Sequence, residues 1–361
     1  MIALGDDKQS LLGTVVAVQA NYYQVKLDQP KAEKIFLLCT RRALLKKLGQ
    51  KVMVGDRVEV VEPDWAGGRG AISDVLPRLT ELNRPPMANA EQILLVFALE
   101  EPTLDPHQLS RFLVKAESTS LSVCLCLNKS DLLGSEQLEK WRSRLQQWGY
   151  DPMFISVQSS TGIEVVSQRL SKKITVVAGP SGVGKSSLIN QLIPTVNLRV
   201  NAVSGKLGRG RHTTRHVELF DLPAGGLLAD TPGFNQPDLD CTPEELVNYF
   251  PEARERLAVA SCQFSNCSHR DEPNCAVRGD WERYEHYLEL LAEAIARTTI
   301  LNQQADPESS LKLKTKRGKS QYEPMLETKK YRRTSRRTQH QTLQQLYEDA
   351  EDNEENTTST S

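Results

Sequence analysis

No apolar run in this 361-residue sequence approaches the ~20 residues of a membrane-spanning helix, so no such span is expected. The N-terminus, MIALGDDKQS, has neither the basic region nor the apolar block of an export signal. A cytoplasmic location is therefore expected, with no membrane partner. In that reducing compartment the seven cysteines do not read as a disulfide framework. Net charge is also nearly missing: the formal sum is -1, and the information lies in how unevenly charge runs along the chain. The length points to two or three domains, and the hydrophobic content is ordinary enough to supply a sizeable core.

The stretch that organises the rest is Ile174 to Asn190, ITVVAGPSGVGKSSLIN. A β-branched apolar run reads as a buried strand, and a helical pattern begins at Ser187. Between them lies a phosphate-binding loop, made of Gly179, Pro180, Ser181, Gly182, Val183, Gly184, Lys185, Ser186 and Ser187. Its glycines let backbone N–H groups turn inward around an anion, and the following helix directs its positive end at the same phosphates. Lys185 is expected to reach the β- and γ-phosphates, and Ser186 to ligate Mg²⁺.

Two further motifs fit a guanine nucleotide. Asn128-Lys129-Ser130-Asp131 follows the strand SVCLCL. The Asp131 carboxylate can accept from guanine N1–H and N2–H₂, donors that adenine does not offer there, and a buried polar site rejects a ligand that leaves it unpaired. Asn128 supplies an amide for the base edge, and the aliphatic stem of Lys129 can cover the nucleotide plane. Ser156, in SVQSSTG, is expected to give a backbone contact to the guanine O6. Asp230-Thr231-Pro232-Gly233 follows the strand GLLAD, so that Asp230 lies near Mg²⁺ and the Gly233 N–H near the γ-phosphate. Residues 206–219, KLGRGRHTTRHVEL, read as a mobile segment in which Thr214, with Thr213 the alternative, adds a hydroxyl to Mg²⁺. The motif order is permuted: the base-reading tetrapeptide precedes the phosphate loop. After DTPG the chain leaves directly for the C-terminal region, so the nucleotide-sensing loop is tethered there.

Four strand candidates, LLGTVVAV, YYQVKL, KIFLLC and DRVEVVE, precede this domain and suggest an OB-fold β-barrel over 1–76. Its Lys26, Lys31, Lys34, Arg41, Arg42, Lys46, Lys47 and Lys51 interleave with Tyr22, Tyr23 and Phe36. That pattern suits RNA binding and equally suits a solvated surface over core aromatics. Residues 77–90, with three prolines, read as a linker or loop. Strands and helices alternate over 91–236, an α/β domain with a parallel sheet. Residues 237–300 read as helical, with helices at Pro243–Tyr249 and Trp281–Thr298, and 301–361 as a mostly disordered charged tail.

In the helical region Cys262, Cys267, His269 and Cys275 fall within fourteen residues. Three thiolates and an imidazole form a closed tetrahedral structural zinc site, with no position open for water. Cys124 and Cys126 lie on a strand and read as small buried hydrophobes.

The order OB-like segment, NKSD, GPSGVGKS, GRGRHTT, DTPGF and Cys-Cys-His-Cys loop resembles the circularly permuted ribosome-assembly GTPases of the RsgA (YjeQ) type, over residues 10 to about 300. The resemblance implies a GTPase acting late in maturation of the small (30S) ribosomal subunit, contacting 16S rRNA, stimulated by the subunit and released on hydrolysis. A monomer with one structural Zn²⁺, and Mg²⁺ accompanying GTP or GDP, is expected. The residue after DTPG is Phe234, which cannot orient water as the glutamine of Ras-like enzymes does. The resemblance points instead to His212 as the catalytic water-orienting group. The competing reading is an RNA-binding module that a bound nucleotide locks in shape, with negligible hydrolysis.

Overall fold

The computed structural model of the chain describes residues 10–31, 34–83, 85–196, 217–230, 238–303, 311–316 and 319–324. The four N-terminal strand candidates form strands, as expected. Strands β1 (Leu11–Gln19), β2 (Tyr22–Lys31), β3 (Lys34–Arg41), β4 (Arg57–Asp64) and β5 (Arg69–Val75) are joined in the order β1-β2-β3-β5-β4, and β4 returns to pair with β1. The sheet closes on itself as a five-stranded barrel. Val15, Val25, Leu37, Val58, Val60 and Ile72 fill it, and a short helix, α1 (Ala43–Lys47), buries Leu45 against that core. The fifth strand, RGAISDV, is not among the strand candidates, because its single buried aliphatic run is broken by Gly70 and polar residues.

Residues 77–90, expected as a linker or loop, contain a packed hairpin, β6 (Glu81–Asn83) with β7 (Pro86–Ala88). Leu82 and Met87 join the core that holds Ile93 and Leu95. Prolines at strand edges are compatible with pairing, which is why this segment does not behave as a free connector.

The nucleotide-type sheet runs β10-β9-β8-β11-β13-β12, from β8 (Gln92–Ala98), β9 (Ser122–Asn128), β10 (Met153–Phe154), β11 (Ile174–Ala178), β12 (Glu218–Asp221) and β13 (Leu227–Asp230). All of its pairings are parallel except β12 with β13. Every residue of β8 is buried, as both faces of a central parallel strand must be. Alternation sends Ile93, Leu95 and Phe97 to one face, against α2 (Pro106–Glu117) and α3 (Ser135–Gln147). It sends Leu94, Val96 and Ala98 to the other, against α4 (Ile163–Leu170) and α5 (Lys185–Leu192). Each of these side chains larger than alanine stabilises the fold by about 1.5–3 kcal/mol relative to exposure. Cys124 and Cys126 are buried in the second core, as small hydrophobes. Barrel and sheet are continuous. Ala17 pairs with Glu218, Glu218 with Asp230, and Asp230 with Val177, a row of backbone pairings from the barrel to the strand that feeds the phosphate loop.

From 238 the chain is helical: α6 (Pro243–Leu246) with a 3-10 turn at Val247–Tyr249, α7 (Pro251–Val259) and α8 (Tyr284–Gln303). Thr242 and Glu245 cap α6 reciprocally. Helix α7 is absent from the sequence reading; Pro251 occupies its first position, where proline starts a helix as readily as it interrupts one. This region packs on α2 through Val114, with Phe250, Trp281, Tyr287 and Leu290. At its centre Arg283 is fully buried and ion-paired with Glu252. Its Nε donates to Glu252 Oε1 at 2.7 Å, and its guanidinium lies 4.8 Å from the Trp148 ring and 4.9 Å from that of Phe250. Around it run Arg254–Glu117, Arg111–Glu293 and the Lys115–Asp240–Arg297 group, while Trp148 Nε1 donates to Glu282.

The chain divides into two units, 1–298 and 299–361. In the second, β14 (Leu311–Lys316) pairs antiparallel with β15 (Lys319–Pro324). The alternation in LKLKTK accounts for that hairpin.

Glu252→Gln leaves a buried guanidinium without its counter-charge and should cost about 3–5 kcal/mol. Glu293→Gln breaks a half-exposed pair and should cost about 1 kcal/mol or less. Urea denaturation of both variants checks this; equal losses would contradict it.

Candidate nucleotide site and metal centre

The phosphate loop sits where the sequence requires, between β11 and α5, at the carboxyl end of a central parallel strand. Two glycines are there for space. A Cβ on Gly179, whose φ is +135°, would lie 2.0 Å from the Val96 carbonyl oxygen, and one on Gly184, at φ +94°, would lie 2.4 Å from Asn128 Nδ2. The second contact joins the two motifs. Asn128 is 2% exposed; its Nδ2 donates to the Val183 carbonyl at 2.8 Å. Its Oδ1 accepts from the backbone N–H groups of Lys129 at 2.8 Å and Val157 at 3.2 Å. One side chain therefore ties together the base-reading loop, the phosphate loop and the Ser156 loop.

The remaining groups arrange around that strut. Lys129 is left-handed, at φ +62°, and its ammonium donates to the Glu101 carbonyl. Ser130 N–H donates to the Ile155 carbonyl at 3.0 Å, and Asp131 is exposed in the short 3-10 turn that follows. Ser156 is buried; its backbone exchanges hydrogen bonds with Thr161, and its hydroxyl accepts from Ser159 N–H. In the phosphate loop Pro180 and Val183 are buried, while Ser181 and Gly182 are exposed. Lys185 Nζ donates to the carbonyls of Gly179, at 2.8 Å, and Pro180. Ser186 and Ser187 are half-buried in the first turn of α5. The Asp230 backbone pairs with Val177, just before the loop. His212, Thr213, Thr214 and Gly233 lie outside the described residues. The sequence reading did not include Glu101, Val157 or Thr161; they act through backbone groups, which leave no side-chain signature.

The second constellation is the cysteine loop. One ligand atom from each of Cys262, Cys267, His269 and Cys275 lies within 4.8 Å of the others, so the four could hold a metal ion. Cys262 Sγ is 3.9 Å from Cys275 Sγ, and His269 Nδ1 is 3.5 and 3.3 Å from those two sulfurs. A tetrahedral ion with metal–sulfur bonds of about 2.3 Å sets its sulfurs about 3.8 Å apart, so the donor set fits. Backbone N–H groups of Ala276 and Arg278 donate to Cys262 and Cys275, and Tyr284 and Tyr287 donate to the carbonyls of His269 and Ser268. This outer layer orients the ligands. Burial holds the His269 imidazole below its ordinary value, so it is a neutral donor at neutral pH. Hydrogen bonds from Ser268 bring the Glu272 carboxyl down to about 2. That contribution is complete above the free carboxylate value of about 4.3 and lost only as pH falls towards 2.

Fold and site together define a phosphate-loop nucleotide-binding protein of circularly permuted order, with a barrel before it and a metal-ligand loop behind. The RsgA GTPase family model matches residues 75–240. The "Small ribosomal subunit biogenesis GTPase RsgA 1" of Nostoc sp. is 69% identical over 94% of this chain and 98% of the relative. The RsgA of Trichormus variabilis matches at the same identity and coverage. Among solved structures, YjeQ from Thermotoga maritima is 34% identical, with TM-score 0.68, over 80% of this chain and 99% of that one. YloQ, described as a circularly permuted GTPase, is 30% identical, with TM-score 0.67, over 82% and 99%. The chain belongs to the RsgA GTPase family.

Asn128→Ala removes the strut and leaves the buried Val183 carbonyl unpaired, a loss of about 1–3 kcal/mol. Guanine-nucleotide affinity should fall about ten- to a hundredfold in a fluorescent GDP titration; unchanged affinity would contradict the coupling of the two loops.

Proposed function

We propose that this chain hydrolyses GTP in the biogenesis of the small ribosomal subunit, with turnover raised by the subunit and hydrolysis coupled to release from it. The observation that carries the reading is the Asn128 bridge from the base-reading tetrapeptide to Val183 in the phosphate loop. Two motifs some fifty residues apart, in reversed order, then serve one nucleotide.

Asp131 accepts from the guanine N1–H and N2–H₂, Ser156 offers its backbone to the O6, and Asn128 with Lys129 frames the base. The loop from Gly179 to Ser187 cradles the phosphates at the positive end of α5. Lys185, whose ammonium now satisfies two carbonyls of its own loop, turns to the β- and γ-phosphates. Mg²⁺, when bound, neutralises charge on those phosphates, and Ser186 and Thr214 are its ligands on this reading, with Asp230 close by. The Gly233 N–H senses the γ-phosphate. Phe234 cannot orient water, and the resemblance to RsgA-type GTPases assigns His212 to hold the attacking water. The four-ligand loop holds one structural Zn²⁺, closed to water, and orders a segment with little core of its own.

The barrel supports an RNA partner. On the outer face of β2 and β3, Tyr22, Phe36 and Leu38 are exposed, with Lys26 opposite Phe36 and Gln24 opposite Leu38. Apolar and aromatic groups among cations suit stacking against unpaired bases. Several of the basic residues are engaged internally: Lys26 with Asp221, Arg42 with Glu62, and Arg41 with the Gln50 carbonyl. Aromatic exposure, more than net charge, argues for an RNA contact, and a small-subunit factor makes 16S rRNA the RNA of this reading. A cytoplasmic monomer is the form this reading assumes.

Steady-state phosphate release with and without small subunits tests the proposal. Wild-type turnover should rise with the subunit, and His212→Ala should lower the stimulated rate on the order of a hundredfold, leaving GTP affinity intact. Turnover indifferent to the subunit contradicts the function; an unchanged stimulated rate in His212→Ala removes that residue from the mechanism.

A further inference from the structure

Helices α2 and α8 are joined by a ladder of ion pairs at four-residue spacing. The rungs on α2 are His107, Arg111 and Lys115. On α8 they are Glu289 and Glu293, and Arg297 meets Lys115 through the shared carboxylate of Asp240. Residues four apart lie on one face of a helix, so the rungs form a single stripe. The second and third rungs carry permanent charges. The first is a histidine: His107 Nε2 lies 2.6 Å from Glu289 Oε2, an attraction that is full only with the ring protonated. A second histidine sits beside it. His286 of α8 packs edge-on against His107, with ring centroids 5.1 Å apart, and against Trp148 at 6.4 Å. Its Nδ1 is 2.8 Å from the hydroxyl of Ser110, a fully buried residue of α2. A neutral ring can accept the Ser110 proton there; a charged ring cannot.

We propose that this histidine pair is a proton-controlled clasp between the nucleotide domain and the C-terminal helical region: a proton on His107 helps hold α8 against α2, and a second proton, on His286, releases it. The surrounding charges set that order. His107 on α2 and Arg283 on α8 both oppose a proton on His286, and Glu289 and Glu282 oppose it less strongly than they favour other partners. Glu289 is engaged by His107, Glu282 by Arg144 and the Trp148 indole, Glu293 by Arg111, and Asp105 caps α2. Burial first, then those two cations, hold His286 below the ordinary histidine value. The undocked helix therefore takes up the proton before the docked one does. Docking is complete above the ordinary value of about 6.5 and weakens as pH falls below it. Two touching imidazolium rings also repel, so the pair titrates as coupled sites. Tyr284 and Tyr287, on either side of His286, donate to the carbonyls of His269 and Ser268, so α8 carries the cysteine loop with it. At the other side, α2 begins just after the loop whose Glu101 carbonyl meets Lys129. The clasp thus lies between the base-reading tetrapeptide and the metal-ligand loop.

The test is amide hydrogen exchange of the full-length, GDP-loaded protein at about pH 7.5 and about pH 5.5, with rates corrected for intrinsic chemistry. In the wild type, amides of α8 should exchange about threefold or more faster at the lower pH, while those of the barrel strands keep their protection. His286→Gln keeps a polar partner for Ser110 but takes no proton, so its α8 should lose the response. His107→Gln removes the charged neighbour, so its response should move to lower pH. Wild-type α8 protection that is the same at both pH values overturns the proposal. So does an equal response in wild type and His286→Gln, which would trace the loosening to some other group, the cysteine loop included. Should His286→Gln not melt with the wild type, His107→Gln decides: a response at the wild-type pH overturns the proposal, and a response displaced to lower pH upholds it. No outcome bears on GTP hydrolysis or its stimulation by the small subunit, which are measured separately.

Discussion

The amide of Asn128 is the smallest part of this molecule on which everything else depends. One buried side chain spends its donor on the phosphate loop and its acceptor on two backbone N–H groups, one of them in the loop after β10. Gly184 must be glycine because that amide presses against it. Fixing both loops from one point removes the need for the motifs to follow each other in the chain. The parallel sheet supplies the rest. It brings the carboxyl ends of β9, β10, β11 and β13 to one edge, whatever the order in which they were synthesised.

Permutation has a mechanical consequence. In this chain the strand that ends at Asp230 does not lead to the base-reading loop; it leads to the helical region. That region is held on α2 by an apolar core, on α3 by the Arg144–Glu282 ion pair and, at its centre, by Arg283 between Glu252 and the rings of Trp148 and Phe250. On the other side the barrel joins the sheet through Ala17, Glu218 and Asp230, and through the Lys26–Asp221 ion pair. The nucleotide sheet thus lies between two appendages, each connected to a strand next to the phosphate loop or to the segment that follows it.

Much of this was legible in the sequence, for reasons that are local. The phosphate loop announces itself because strand, glycines, lysine and helix must be contiguous, and the cysteine loop because its ligands fall within fourteen residues. The central strands were plain because burial on both faces leaves no polar position after Gln92 in QILLVFA. What escaped was non-local. The fifth barrel strand is stabilised by its partners β3 and β4, not by its own composition. The hairpin at 81–88 is fixed by Leu82 and Met87 entering a core formed elsewhere, although its prolines read as a connector. Arg283 and Glu252 are thirty-one residues apart, and neither carries a signal alone. Tyr22 and Tyr23 are adjacent in sequence yet point to opposite faces, one exposed and one in the barrel core, as alternation along a strand requires.

The central claim is that a carboxylate encoded upstream reads the base of the nucleotide whose phosphates the downstream loop holds. It is tested most directly by calorimetric titration of GDP, ADP and XDP into wild type and Asp131→Asn. Xanthine replaces the guanine N2 amine with a carbonyl, so an amide in place of the carboxylate can donate where the carboxylate accepted. The account predicts that wild type binds GDP and rejects ADP, and that Asp131→Asn loses GDP and gains XDP. Undiminished GDP binding by Asp131→Asn would contradict it.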